Sequence, residues 1–201
     1  RKLEACRKLI VNSILKSIKD SLSNLGIVFN NWFSESTLFE DNIVDNTIAK
    51  LKENGKTIKK EGALMFNDDD PRVLIKSNGE YTYFASDLAY HDKKMREFDK
   101  VINVWGADHH GYVHRVYKGL EALGHDIDKL DIHLIQFANL YRGKEKVSMS
   151  TRKGEFVELD TLLKEIGIDA INYFYLMRSK DQHLDFDLEV AVSSNKNNPV
   201  Y

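Results

Sequence analysis

The sequence is poor in cysteine and proline, and it contains no long hydrophobic run. Its single cysteine, Cys6, excludes an internal disulfide framework and a cysteine-rich zinc site. Only two prolines occur, which excludes a proline-rich linker. No apolar stretch approaches the roughly 20 residues of a membrane-spanning helix. Residues 1–4 are not followed by the apolar core of a secretory signal. We therefore expect a soluble globular protein without a membrane segment.

Neither sign of charge dominates the chain. It carries 29 basic and 31 acidic residues, for a net charge of −2. A globally basic nucleic-acid-binding protein is thereby excluded, and any nucleic-acid surface must be a local patch. The 201 residues suffice for one domain, or for one domain with an insertion. Because the chain starts without methionine and ends abruptly, we expect it to be a piece of a longer protein.

Periodicity in the first part of the chain predicts helices beside a β-rich stretch. Apolar residues at steps of three and four indicate helices, and short β-branched runs between turn residues indicate strands. The predicted elements are a helix at 2–25, a strand at 27–29, a helix at 41–54 and a β-rich stretch at 56–76. Asn78-Gly79 predicts a hairpin turn between strands at 73–76 and 81–84.

From residue 85 onward, strand-like and helix-like segments alternate. The predicted elements are helices at 87–98 and 112–123, strands at 101–105 and 132–137, and short helices at 161–165 and 169–177. This alternation is typical of a parallel sheet with crossover helices, so we predict the α/β class. We expect a division into residues 1–80, with helices and the β-rich insertion, and residues 81–201.

The segment Trp105–Gly111 lies at a predicted strand-to-helix junction, where ligands of α/β sheets bind. Gly106 would let a ligand approach the backbone, and Asp108 could accept hydrogen bonds from a ribose. The histidines that follow, His109 and His110, could donate to phosphate oxygens, which the start of a helix also favours. We interpret the segment as a nucleotide site. The alternative is a capping aspartate beside two surface histidines.

Asp108-His109-His110 also matches the tripeptide of manganese-dependent phosphoesterases, which is a second interpretation. Such a metal site needs further carboxylates from other strand ends. The upstream candidates, residues 68–70, lie in a polar turn that ends at Pro71. We therefore expect no metal held by the protein itself, and a metal-dependent phosphoesterase stays the alternative function.

Tyr83 and Asp87 are four residues apart, so they share one face if a helix begins near them. A carboxylate beside an aromatic ring suits a planar cation, because a guanidinium can donate two parallel hydrogen bonds and stack on the ring. The structural alternative is that Ser86 or Asp87 only caps a helix.

A third segment, Arg142–Gly154, holds five cations and one anion within the twelve residues from Arg142 to Lys153. Two serines and a threonine lie inside it, and glycines bracket it. Such a loop suits a polyphosphate whose charge develops during a reaction. Most basic runs, however, are solvated surface loops.

In this order, these segments resemble class I aminoacyl-tRNA synthetases, and among them the arginyl-tRNA synthetases. Tyr81–His91 is similar to the family's arginine-binding segment, and Trp105–Val113 to its nucleotide-binding strand. Val147–Gly154 corresponds in position to the family's KMSKS signature loop, in which Ser148 and Thr151 replace the two lysines. The HIGH signature and the anticodon-binding domain are absent. The implied fold is part of a Rossmann-like class I catalytic domain, residues 81–201 being its second half with the KMSKS-like loop.

The resemblance implies an ATP-dependent reaction in two steps. Arginine's carboxylate attacks the α-phosphate of ATP, and the arginyl group then passes to tRNA(Arg). Mg²⁺ would accompany ATP. Implied partners are L-arginine, ATP and tRNA(Arg), for a cytoplasmic monomer without a membrane. The implied arginine-binding residues are Tyr83 and Asp87. The implied ATP-binding residues are Gly106, Asp108, His109, His110, Gly111, Met149 and Ser150. The implied catalytic loop is Ser148, Met149, Ser150, Thr151, Arg152 and Lys153.

Two consequences of the resemblance remain open. Arg152 or Lys153 could supply the loop charge that the KMSKS lysines would carry. With half of the nucleotide pocket missing, we expect this piece to be inactive alone. Besides the phosphoesterase, a non-catalytic synthetase-like binding module is the remaining alternative.

Overall fold

A computed structural model describes residues 2–147 and 157–201, which form two compact units. One unit comprises residues 32–135, and the other comprises residues 1–31 and 136–201. The helices α1 to α8 span Lys2–Asn24, Ser36–Glu40, Ile43–Glu53, Tyr83–Glu97, His110–Ala122, Leu159–Ile166, Ile168–Leu176 and Leu188–Val192. The strands β1 to β8 span Thr57–Lys60, Ala63–Phe66, Arg72–Ile75, Val101–Gly106, Leu130–Ile135, Ala138–Arg142, Glu145–Lys146 and Leu184–Asp187. No helix within the described ranges is long and apolar enough to cross a membrane.

In the unit of residues 32–135, β1, β2 and β3 form an antiparallel sheet in that order. Thr57 pairs with Phe66, and Leu64 pairs with Ile75 across the second strand pair. The β-rich stretch predicted between residues 56 and 76 is therefore confirmed. Leu64, Phe66 and Leu74 turn their side chains into the core, so the sheet has one buried face.

The strands β4 and β5 pair in parallel, from Val101 opposite Leu130 to Gly106 opposite Ile135. The helix α5 lies between them in sequence, so this is a strand–helix–strand unit of the kind predicted. Along β4, Val101 and Asn103 are buried whereas Ile102 and Val104 are exposed. The parallel pair places the carboxyl ends of both strands at one edge of the unit.

The core of this unit joins the antiparallel sheet to α3, α4 and α5. Leu88 and Leu120 are among its fully buried side chains. Gly119 allows α5 to approach α4, because a Cβ atom at that position would lie 2.6 Å from Leu88 Cδ1. The close approach packs α4 against α5, the helix that follows β4 and the predicted nucleotide-binding turn.

Two predictions about local structure are wrong. The predicted strand at 81–84 is only a single bridge between Ile75 and Tyr81, because α4 begins at Tyr83 and not at Asp87. The Thr82 hydroxyl accepts a hydrogen bond from the Ala85 N–H and so caps the helix at this earlier position. The predicted strand at 27–29 is irregular backbone instead.

The unit of residues 1–31 and 136–201 is built on β6, which pairs in parallel with β8 and antiparallel with β7. Its core includes Leu140, Ile171 and Phe186. The predicted short helices here are confirmed as α6 and α7. Within the described chain, α1 has the predicted length but no buried residue. The domain boundary expected between residues 80 and 81 stays a prediction.

Candidate functional site

A cavity of about 600 Å³ opens within the unit of residues 32–135. It lies between the first turns of α4, the end of β4 and the segment before α2. Its walls are mainly aromatic, and two carboxylates enter it. The lining residues are Phe33, Glu35, Leu38, Tyr83, Phe84, Ser86, Asp87, Tyr90, Trp105, His109 and Tyr112.

The start of α4 places Tyr83 and Asp87 at this cavity. Thr82 caps the helix and donates its hydroxyl hydrogen to the Val73 carbonyl at 2.7 Å, which ties the first turn to β3. Tyr83 is the first helical residue and Asp87 lies one turn later, on the same face. Both line the cavity, and Tyr83 remains 88% exposed, at its mouth. The structure therefore brings the predicted arginine-binding pair together.

The Asp87 carboxylate is incompletely satisfied. Its Oδ2 atom is buried and has no hydrogen-bond partner among the described residues. Its Oδ1 atom lies 3.5 Å from Nδ1 of His91. Burial, followed by the negative charge of Asp87 and a hydrogen bond to its carboxylate, raises the pKa of the Tyr112 hydroxyl, which therefore stays protonated at neutral pH. A buried acceptor without a donor is costly, so the site is suited to a ligand that donates hydrogen bonds.

A buried polar network lies behind Asp87. The His91 Nδ1–H donates to the Asp87 carbonyl oxygen at 2.8 Å, and His91 Nε2 accepts from the Asn103 amide at 2.8 Å. The Asn103 side-chain oxygen in turn accepts from Lys94 Nζ at 2.7 Å. Burial most strongly lowers the pKa of Lys94, and the charge of Asp87 partly opposes this effect. The network connects α4 to β4.

Glu35 is a cavity residue that sequence reasoning missed. It directly precedes α2, and its Oε1 atom accepts a hydrogen bond from the Ser86 hydroxyl at 2.8 Å. The two residues are 51 positions apart, so no local spacing in the sequence could have paired them. With Asp87, Glu35 gives the cavity two carboxylates, which favour a cationic ligand.

The aromatic walls give the cavity its shape. Phe33 stacks on Tyr90 with ring centroids 4.7 Å apart, and Phe84 meets Tyr112 edge to face at 6.2 Å. Trp105 closes the β4 side, 6.0 Å from Tyr112. Flat aromatic surfaces beside carboxylates suit a planar, delocalised cation such as a guanidinium.

The predicted nucleotide-binding residues follow β4 directly. Asp108 and His109 lie in a single 3₁₀ turn at Ala107–His109, and His110 begins α5. A Cβ atom on Gly106 would lie 2.5 Å from Asp108 Oδ1, so only glycine fits beside this carboxylate as it stands. The side chains of His109 and His110, at the start of α5, are exposed and can contact an anionic ligand.

The structure brings only some of the predicted site residues to one place. Tyr83, Asp87 and His109 line the cavity. The other predicted nucleotide-binding residues of this segment lie at the adjoining turn: Gly106, Asp108, His110 and Gly111. The predicted loop residues lie outside the described residues: Ser148, Met149, Ser150, Thr151, Arg152 and Lys153.

The geometry around Asp108 also bears on the phosphoesterase alternative. The Oδ2 atom of Asp108 lies 3.9 Å from Nε2 of His109. Within residues 2–147 and 157–201, no group of three histidine, cysteine, aspartate or glutamate side chains is placed to hold a metal ion. The acidic turn at residues 68–70 belongs to the connection between β2 and β3, not to the end of β4.

Comparison with known proteins supports the synthetase interpretation over the phosphoesterase alternative. The family model for the catalytic domain of class I tRNA synthetases (R) matches residues 1–187. An arginine–tRNA ligase of Legionella pneumophila is 51% identical over 197 residues, which cover 95% of this chain and 34% of the relative. An arginine–tRNA ligase of Oceanobacillus iheyensis is 45% identical over 206 residues, which cover 100% of this chain and 37% of the relative. The chain thus spans about a third of the length of these curated relatives.

Solved structures agree with this assignment. An arginyl-tRNA synthetase structure from Campylobacter jejuni matches with a TM-score of 0.85 and 35% identity, over 94% of this chain and 42% of that one. The Thermus thermophilus enzyme, at 16% identity, shows the same fold with a TM-score of 0.72, over 96% of this chain and 44% of that one. The predicted α/β fold of a class I synthetase is confirmed. On its sequence and its fold, the chain belongs to the family of class I arginyl-tRNA synthetase catalytic domains.

Proposed function

We propose that this chain forms the arginine-binding part, and a portion of the ATP-binding part, of an arginine–tRNA ligase. The observation that carries the proposal is the aromatic cavity that is lined by two carboxylates, Asp87 and Glu35. The arginine–tRNA ligases that share about half of this sequence support the choice of substrate. The full reaction belongs to the longer protein, because the chain spans about a third of such relatives.

Asp87 would accept two parallel hydrogen bonds from the guanidinium of L-arginine. Glu35 would supply a second negative charge, and Tyr83 would cover the cation at the mouth of the cavity. Lysine carries a point charge without the planar fork of donors, and citrulline carries no charge. Either would leave a buried carboxylate oxygen unsatisfied, so the cavity should reject both.

ATP would bind beside this cavity, over Gly106 and the start of α5. Asp108 would accept from the ribose, while His109, His110 and Gly111 would face the phosphates. Mg²⁺ would accompany ATP and offset the negative charge of its phosphates, with no protein cage required. The part that the resemblance implies for Met149, Ser150 and the other loop residues from Ser148 to Lys153 in ATP binding stays a prediction, because they lie outside the described residues.

The arrangement needs no covalent nucleophile. The carboxylate of the bound arginine would attack the α-phosphate of ATP, which gives arginyl-adenylate and releases pyrophosphate. A hydroxyl of the terminal adenosine of tRNA(Arg) would then attack the arginyl carbonyl of the adenylate, which forms the ester and releases AMP. The role of this chain is to hold the two substrates in line and to stabilise phosphate charge. The setting we propose is a cytoplasmic monomer, and the piece alone should be inactive.

The test is arginine-dependent ATP–pyrophosphate exchange by the full-length protein. Asp87→Asn should lose about 3 kcal/mol of transition-state binding, roughly a hundredfold in kcat/KM for arginine. Asp131→Asn is the matched control, because Asp131 lies on β5, pairs with Lys100 and does not line the cavity. An unchanged kcat/KM in Asp87→Asn would remove Asp87 from the site.

A further inference from the structure

The side-chain amide of Asn103 contacts two groups on α4 that could act as cations near Asp87. Asn103 is 6% exposed and lies on β4. Its Nδ2 donates to His91 Nε2, and its Oδ1 accepts from Lys94 Nζ. His91 and Lys94 each become cationic when protonated, and both lie on the helix that carries Asp87. One amide therefore contacts two potential counter-ions of the proposed arginine-binding carboxylate.

The hydrogen bonds of His91 define its protonation state. The Asp87 carbonyl oxygen can only accept, so His91 Nδ1 must carry the hydrogen. The Asn103 Nδ2 can only donate, so His91 Nε2 must carry none. Burial most strongly, and then the charge of Lys94, lowers the pKa of His91, while Asp87 opposes both. The ring beside Asp87 is therefore a neutral imidazole.

The ammonium group of Lys94 also has partners within the network. Besides its hydrogen bond to Asn103, its Nζ lies 4.6 Å from the ring centroid of Tyr90. The Asn103 oxygen and the Tyr90 ring therefore both stabilise the Lys94 ammonium group. Among the ion pairs of the described residues, none joins Lys94 to Asp87. The Asp87 carboxylate thus has two neutral neighbours, the His91 ring near Oδ1 and the Tyr112 hydroxyl, and its Oδ2 makes no hydrogen bond within the described residues.

We propose that Asn103 is a positioning residue for arginine binding: its amide keeps His91 neutral and Lys94 engaged, so that Asp87 stays available to a guanidinium. The inference rests on the proposed function, since it assumes that the cavity binds arginine. It adds a role for a β4 residue that touches no cavity surface and acts only through α4.

Asn103→Asp replaces the hydrogen-bond donor that faces His91 Nε2 with an acceptor. A carboxylate in place of the amide can only accept, so His91 would gain a hydrogen on Nε2 and become an imidazolium. That cation would lie beside Asp87 and compete with the substrate guanidinium. The other groups that face the ring are Lys94, which opposes its protonation, and the aromatic edges of Tyr90 and Trp105. Arginine binding should then depend on the protonation of His91.

The experiment measures KM for arginine and for ATP with the full-length protein between about pH 6 and pH 8.5, the range in which histidine titrates. Asn103→Asp should raise the arginine KM roughly tenfold or more at the acidic end, and less as the pH rises. The ATP KM should stay unchanged. The pH dependence should vanish in the double variant Asn103→Asp/His91→Gln, because no imidazole remains to be charged.

Asn198→Asp is the matched control. Asn198 is 9% exposed, and its Nδ2 donates to the Ala191 and Ser193 carbonyl oxygens in the other compact unit. It should lower the melting temperature without a selective change in the arginine KM. If Asn103→Asp changed the KM values for arginine and ATP alike, independently of pH, Asn103 would have a purely structural role and the inference would be overturned.

A spectroscopic measurement covers the case in which Asn103→Asp does not fold. With ¹⁵N-labelled histidine in the wild-type protein, the His91 signal, assigned by its loss in His91→Gln, should show a neutral ring with hydrogen on Nδ1 at about pH 6.5. An imidazolium at that pH would overturn the inference. A failure of the proposed function would give a different result. Either the wild-type protein would show no arginine-dependent ATP–pyrophosphate exchange, or Asp87→Asn would leave that exchange unchanged.

Discussion

The imidazole of His91 lies one helical turn beyond Asp87, with its Nδ1 2.8 Å from the Asp87 carbonyl oxygen and 3.5 Å from a carboxylate oxygen. The carboxylate is thus backed by a buried ring, which is 2% exposed, and its second oxygen makes no hydrogen bond within the described residues. A neutral neighbour orients Asp87 without cancelling its charge. This relationship explains how one short helix can prepare a carboxylate for a cationic substrate.

The second carboxylate of the cavity, Glu35, should contribute to arginine affinity. Glu35→Gln removes one negative charge from the cavity but can keep the hydrogen bond with Ser86, so the fold should be retained. We expect the arginine KM to rise roughly tenfold, or about 1.4 kcal/mol, with an unchanged ATP KM. Steady-state kinetics of the full-length protein measure both, and Glu80→Gln, at an exposed ion pair with Lys76, is the control. An arginine KM equal to the wild-type value would exclude Glu35 from the binding site.

The glycine at the end of β4 should be required for ATP binding more than for stability. In Gly106→Ala the new Cβ would displace the Asp108 carboxylate, which is exposed and can swing aside, so we expect a stability loss below about 1 kcal/mol. The ATP KM should rise roughly tenfold, as it should in Asp108→Ala. Because both changes remove the same contact, the double variant should be no worse than either one. Additive losses would show that Gly106 acts independently of Asp108.

Gly119 should be required for stability instead. In Gly119→Ala the methyl group would meet Leu88, a fully buried side chain that has little room to move. We expect a loss of about 1–3 kcal/mol in the free energy of unfolding. Gly111→Ala in the same helix meets nothing within 4 Å and should be neutral or stabilising by up to about 1 kcal/mol. Urea unfolding of the chain distinguishes the two, and equal stability of both variants would contradict the tight α4–α5 contact.

Asp92 should make the stability of the chain depend on acid pH. Although burial opposes it, the hydrogen bond from His125 and the charge of Arg96 lower the pKa of Asp92 below 3.8. The group therefore stabilises the fold fully above pH 3.8, and this contribution is lost as the pH falls through the lower pKa of the folded state. Asp92→Asn should cost about 2 kcal/mol at neutral pH and much less at the acidic end. A difference from wild type that is independent of pH would contradict this role.

The sequence predicted the elements whose signals are local. The apolar run of β4, the periodicity of α5 and the β-rich stretch at 56–76 were each apparent from a few neighbouring residues. The pairing of Tyr83 with Asp87 could be predicted as well, because it depends only on helical spacing. The predicted start of α4 is four residues too late. The Thr82 cap is fixed by a hydrogen bond to β3, and residue spacing does not reveal such a bond.

The parts that could not be predicted depend on contacts between distant residues. Glu35 meets Ser86, and Phe33 stacks on Tyr90, only after α2 and α4 have packed. The role of Asn103 was hidden because an asparagine in an apolar strand shows no partner in sequence. Long-range packing thus completes a site of which the sequence shows only the helical half.

In the proposed function, the full-length protein carries an arginine site built on Asp87. Aminoacylation of total tRNA by that protein, with a panel of labelled amino acids, tests this site. We expect charging with arginine alone, and loss of that charging in Asp87→Asn. Charging with a different amino acid, or with none, would contradict it, and the second result would favour a non-catalytic binding module.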